Sequence, residues 1–203
     1  MIHQFFLDKR PHRGQNYEEY LQNFNHKIAS ADYGGVSNEQ KELIDRDKLN
    51  YKRSLRIYKT YSVDPQLCEL VKNIFKPQLW MVITENWCGD SAQNLPYLAK
   101  IASCNPLIDF RIILRDDNLD IMDLYLTDNN SRSIPKLIAF KENSEELFQW
   151  GPRPNEAQEL VYKLKNEGKS KDEYLEELHL WYGRNKGKNL ENEIIKILKS
   201  FLY

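Results

Sequence analysis

The run Leu79–Thr84, with the turn that follows it, constrains the fold more than any other part of the chain. Leu79-Trp80-Met81-Val82-Ile83-Thr84 is apolar or β-branched throughout, which predicts a short strand covered on both faces. Glu85-Asn86-Trp87-Cys88-Gly89-Asp90-Ser91 interrupts the run. Ser91 to Ala102 then sets Leu95, Leu98, Ile101 and Ala102 on one helical face. Cys88 therefore falls at the mouth of a helix, where unpaired N–H groups and the positive dipole end favour a thiolate. Its expected pKa lies below that of a free cysteine, with the Asp90 carboxylate holding it back from an extreme value. Ser91, one turn on, can donate to the thiolate or cap the helix.

The rest of the composition mostly excludes. With 203 residues there is room for one substantial domain with additions, or for two small ones. A net charge of −1 gives no global field toward nucleic acid or a membrane surface. No apolar run approaches the roughly 18 residues of a membrane span. Met1 to Arg10 has too short an apolar core for a secretory signal. The cysteines Cys68, Cys88 and Cys104 are odd in number and widely spaced, so neither a disulfide framework nor a metal-binding CxxC is expected. His3, His12, His26 and His179 are scattered away from them. The expected setting is a reducing cytoplasm. Cys68 is expected to pack as a small hydrophobe on its helix. Cys104 lies at the far end of the Cys88 helix, roughly 20 Å away, too far to reach Cys88.

Taken in order, residues 1–15 read as a loosely ordered lead-in. Tyr17, Tyr20, Leu21, Phe24 and Ile28 mark a helix from Asn16 to about Ser30. Ser37 or Asn38 caps a second helix with Leu43, Ile44, Tyr51, Leu55 and Tyr58 inward, its mixed charges forming a solvated face. Asp64-Pro65 starts a third, with a buried stripe from Leu67 to Phe75. Further strands are predicted at Ile108–Leu114, Ile134–Phe140 and Glu146–Trp150, with a short helix at Leu119–Leu126. Helices follow at Asn155–Asn166, Asp172–Tyr182 and Leu190–Phe201, and Trp80 and Trp150 are expected in the core. From residue 64 the order is helix, strand, helix, strand, helix, strand, strand, helix. The first two strands should be parallel and the last two a hairpin, giving a mixed sheet with helices on both faces.

Residues 64–167 resemble thioredoxin. Trp87-Cys88-Gly89 opens the active-site helix, and Pro96 sits eight residues on, where the family has its kinking proline. Ile134-Pro135 lies where the family has a cis-proline, and Gly151 where it has a late glycine. The flanks resemble a bacterial branch with a helical N-terminal extension and a WCGD-type motif. The resemblance implies a thioredoxin-like three-layer α/β/α fold with a mixed sheet of about four strands. It divides the chain into a helical extension at 1–63, a thioredoxin-like domain at 64–167 and a C-terminal helical extension at 168–203. Two departures bear on function. The CxxC motif here reads Cys88-Gly89-Asp90-Ser91, so Ser91 replaces the resolving cysteine, and Val82 stands where the family keeps a buried acid.

The site that follows has Cys88 as nucleophile with Ser91 beside it, and Trp87, Gly89, Asp90, Ile134 and Pro135 as the substrate-facing residues. Its expected chemistry is monothiol exchange. Cys88 forms a mixed disulfide with a protein thiol or disulfide, or with a small thiol such as glutathione, and an external thiol resolves it. No cofactor or metal is called for. The alternative is a redox-inactive binding module that holds a partner segment in the cis-proline groove by strand addition. A peroxidase is disfavoured, because Glu85 and Met81 occupy the positions where that chemistry needs threonine and proline.

Overall fold

The computed structural model describes residues 2–202. Four strands form one mixed sheet in the order β2-β1-β3-β4. They are β1 Gln78–Thr84, β2 Ile108–Leu114, β3 Lys136–Lys141 and β4 Glu146–Trp150. β1 runs parallel to β2 and antiparallel to β3, and β3 and β4 form a hairpin. β1 is thus interior, and all seven of its residues are buried. Leu79, Met81 and Ile83 point to one face, into a cluster with Ile113, Ile121, Met122, Tyr125, Ile138 and Phe140. Trp80 and Val82 alternate to the other face and are also fully buried. A strand apolar on both sides is stable only with both sides covered, as the β1 sequence requires.

The helices are α1 Gln4–Leu7, α2 Tyr17–Ala29, α3 Asn38–Thr60, α4 Pro65–Lys72, α5 Gly89–Ala102, α6 Leu119–Met122, α7 Asn155–Asn166, α8 Lys171–Asn185 and α9 Lys188–Leu202. The whole is a thioredoxin-like α/β fold with helices added before and after it. Local signals set most boundaries. Asn16 with Glu19, and Ser37 with Gln40, form reciprocal capping boxes at α2 and α3. Asp64 caps α4 ahead of Pro65. The chain divides into two compact units, residues 1–152 and 153–203. In the second, Ala157 and Val161 of α7 pack with Leu178 and Tyr182 of α8. The N–H of Asn155 donates to Glu193 Oε1 at 2.7 Å, while Pro154 takes the N-cap position expected of Asn155.

Four sequence expectations change. Residues 2–15 are ordered: Phe5 and Phe6 of α1 enter the cluster beneath β1, a 3-10 turn follows at Pro11–Arg13, and Gln15 bridges to Ile112 at the β2 edge. Arg10 Nη1 donates to Asp120 Oδ1 of α6 at 2.9 Å. Two aromatics outweigh the flanking charges, which simply stay at the surface. The most buried residues of α3 are polar, Asp47, Asn50 and Ser54, with Ile57; the expected apolar stripe lies only at its flank. Phe75 is 81% exposed, because α4 ends at Lys72 and the chain turns before reaching it. Cys68 is not a packed hydrophobe. It is joined to Cys104 by a disulfide between α4 and the end of α5, with a Cα–Cα separation of 5.5 Å.

Candidate active site

β1 delivers the chain to the loop 85–88, and α5 begins at Gly89 with Cys88 as its N-cap. The Ser91 N–H donates to Cys88 Sγ at 3.4 Å, so the sulfur takes the role an oxygen cap usually plays. The thiol in turn donates to the Ile134 carbonyl oxygen at 3.2 Å. That carbonyl belongs to the Ile134–Pro135 peptide, which is cis. Gly151, at φ +117°, closes the far side, where a Cβ would collide with the carbonyl oxygen of Pro135. Two segments distant in sequence, 87–91 and 134–135, therefore meet at one sulfur.

The electrostatics run opposite to expectation. Cys88 is 8% exposed and sits in the apolar cluster with Ile83, Ile121 and Ile134. Burial pushes its thiol up to about 11, and the Asp90 carboxylate adds to the rise. Ser91 opposes it through its hydroxyl and amide, although Ser91 Oγ is buried and makes no hydrogen bond in this geometry. A helix end favours a thiolate only where charge is solvated or paired. Here desolvation outweighs the dipole.

The other predicted residues surround this pair. Trp87 is half-buried, with the Arg115 guanidinium 4.7 Å over its ring. Arg115 is held by Asp116 at 2.7 Å and donates to the Arg132 carbonyl at 3.3 Å, joining the tip of β2 to the segment before Pro135. Gly89 and Asp90 form the first turn of α5, half-buried, and the Asn94 side chain donates to the Asp90 carbonyl at 2.9 Å. Val82 is fully buried beneath the loop as an apolar residue.

The N-terminal helices supply residues that sequence periodicity did not flag. Asn50 Nδ2 donates to the Asn86 carbonyl at 3.1 Å, and Ser54 Oγ donates to the Ala92 carbonyl at 3.4 Å. The buried polar face of α3 thus satisfies backbone oxygens of the site loop and of α5. Glu85, three residues before Cys88, is buried and accepts the Asp116 N–H at 2.9 Å; burial raises its carboxyl pKa. The Tyr20 phenol of α2 is raised by burial and then by the charges of Cys88, Glu85 and Asp47. Three buried polar oxygens in this zone, Thr84 Oγ1, Asn86 Oδ1 and Asp47 Oδ1, have no hydrogen-bond partner. Among the described residues no group of histidine, cysteine and carboxylate side chains could hold a metal ion, and no helix is long and apolar enough to cross a membrane.

A family model described as thioredoxin matches residues 37–174, more than half of the chain. The chain belongs to the thioredoxin family. The match begins inside the helical extension, one residue before α3, so α3 falls within the thioredoxin-family match together with α5. A crystal structure of a Pseudomonas aeruginosa protein of unknown function is similar at 18% identity and a TM-score of 0.55, over 93% of this chain and 92% of that one. An HIV epitope-scaffold is similar at 16% identity and a TM-score of 0.56, over 93% of this chain and 94% of that one. At these identities the likeness is one of fold. No curated protein sequence matches the chain.

Proposed function

We propose that this protein carries out monothiol thiol–disulfide exchange at Cys88. The observation that carries the reading is the placement of the Cys88 sulfur as the cap of α5, against the Ile134 carbonyl, with no second cysteine within reach. In this geometry the thiol occupies the acceptor that an extended substrate segment would use for main-chain pairing. A segment whose N–H takes the Ile134 oxygen displaces the thiol proton from its acceptor. The sulfur is then left facing the Ser91 N–H, which stabilises a thiolate. Substrate docking and activation of the nucleophile are thereby one event, and in its absence the thiol is held protonated.

The exchange balances without a cofactor. The Cys88 thiolate attacks one sulfur of a protein or small-molecule disulfide, forming a mixed disulfide and expelling the other sulfur as a thiolate, which takes up a proton. A second thiolate, from glutathione or another external thiol, attacks the substrate-side sulfur, regenerating Cys88 and leaving a disulfide between substrate and external thiol. A cytoplasmic setting fits this scheme, since a pool of small thiols supplies the second step. The partners are thiols and disulfides, neither nucleic acid nor membrane.

The raised thiol pKa favours a second reading, a binding module in which the groove holds a partner and Cys88 stays inert. Insulin reduction, together with a pull-down, separates the two. Monothiol exchange predicts negligible dithiol-driven turnover for the wild type, gain of turnover on Ser91→Cys, and loss of captured partners on Cys88→Ala. Partners retained by Cys88→Ala would favour the binding module, and strong wild-type turnover by a dithiol route would refute the monothiol scheme.

A further inference from the structure

We propose that Cys68–Cys104 is a second thiol–disulfide couple, chemically separate from Cys88, which an external dithiol opens and an external disulfide closes while the chain stays folded. The two cysteines lie on α4 and just beyond α5, with Cα atoms 5.5 Å apart, a separation that suits a disulfide and equally two neighbouring thiols. Both residues are partly exposed, unlike Cys88, and an external thiolate that reaches either sulfur opens the bond. α5 has 14 residues and is about 21 Å long, so Cys88 at its start cannot exchange with Cys104 past its end.

The junction that the disulfide spans is also held by bonds indifferent to redox state. Buried Asn105 donates from Nδ2 to the Val71 carbonyl at 2.9 Å and to the Ile74 carbonyl at 2.8 Å, and its Oδ1 accepts the Leu107 N–H at 2.9 Å. Leu67, Leu70 and Val71 bury the inner face of α4 beside it. Reduction therefore removes a covalent tie and leaves the packing that aligns the two sulfurs. The ring closed by this tie, 36 residues in separation, contains β1, the loop 85–88 and all of α5. Its closure sets how firmly the frame around Cys88 is held. In the opening step the protein S–S bond breaks and an S–S bond forms in the dithiol. Two electrons and two protons pass to the Cys68 and Cys104 sulfurs.

The test uses the full chain carrying Cys88→Ser, so that only this pair titrates. It is equilibrated natively with dithiothreitol and then with oxidised glutathione. Two thiols should become available to maleimide together under reduction and disappear together on reoxidation, with the far-ultraviolet circular dichroism unchanged. The thermal midpoint should fall reversibly by roughly 8–15 °C on reduction, the shift expected for losing a ring of this length in a chain of this size. The double variant Cys68→Ser/Cys88→Ser should show one midpoint in both buffers. Thiols that appear only after denaturation, loss of helical signal on reduction, or two thiols that remain free in oxidised glutathione would each overturn the proposal.

Discussion

The two ends of α5 hold sulfur in opposite situations. At the N-terminal end Cys88 is buried, protonated and unpaired with any other thiol, and its contacts are a backbone amide and a backbone carbonyl. At the C-terminal end Cys104 is partly exposed and bonded to Cys68. The dipole alone would make the first sulfur the reactive one and leave the second ordinary. The surroundings reverse that order for the resting protein. An apolar cluster that includes Ile83, Ile121 and Ile134 buries Cys88, whereas α4 offers Cys104 a partner and leaves both cysteines partly exposed. Helix position sets the sign of a local field, but burial decides whether a charge can exist there.

The two ends of α5 should respond differently to perturbation, most of all at the C-terminal end. Removing the Cys68–Cys104 tie, by Cys68→Ser or by reduction, should cost about 4 kcal/mol by loop-closure entropy, measured by chemical denaturation of oxidised and reduced chains. At the N-terminal end, a thiol raised to about 11 from an ordinary 9.0 should alkylate on the order of a hundredfold more slowly at pH 7 than a free cysteine. The rate should keep climbing through pH 9–10 and level only near 11. The linked stability has the same origin. The unfolded thiol loses its proton first, so native stability is indifferent to Cys88 below about pH 9 and falls between about 9 and 11. Asn50→Ala leaves the Asn86 carbonyl buried without its donor and should cost about 1–3 kcal/mol in equilibrium unfolding. Ser91→Ala is the mildest change. It keeps the backbone N–H on the sulfur, removes only a hydroxyl with no hydrogen bond, and should slow Cys88 alkylation by less than about tenfold.

What could be read from the sequence followed from local rules. The β1 run, the Asp64-Pro65 start of α4, the Ser37 cap of α3 and the β3–β4 hairpin each depend on residues close in the chain. Their physics is therefore visible in order. Cys88 at a helix mouth was equally legible. Four things were not. Phe5 and Phe6 lie just ahead of a charged run, and only the packed cluster beneath β1 shows why they are buried. The inward face of α3 is polar because its partners are backbone oxygens of another segment, which no hydrophobic period can reveal. The Cys68–Cys104 pairing depends on how α4 docks against the end of α5, a distance that spacing along the chain does not encode. The sign of the Cys88 shift failed for the same reason, since the residues clustered around it come from segments far apart in the chain.

In the proposed monothiol chemistry, Cys88 makes a mixed disulfide that this chain cannot resolve alone. Intact-mass analysis after incubation with a disulfide-bridged peptide, followed by mapping of the modified residue, tests it directly. One adduct is expected at Cys88, persisting until a small thiol is added, with none on Cys88→Ala. An unmodified Cys88 alongside a reacted free-cysteine control, or an adduct that clears without added thiol, would contradict it.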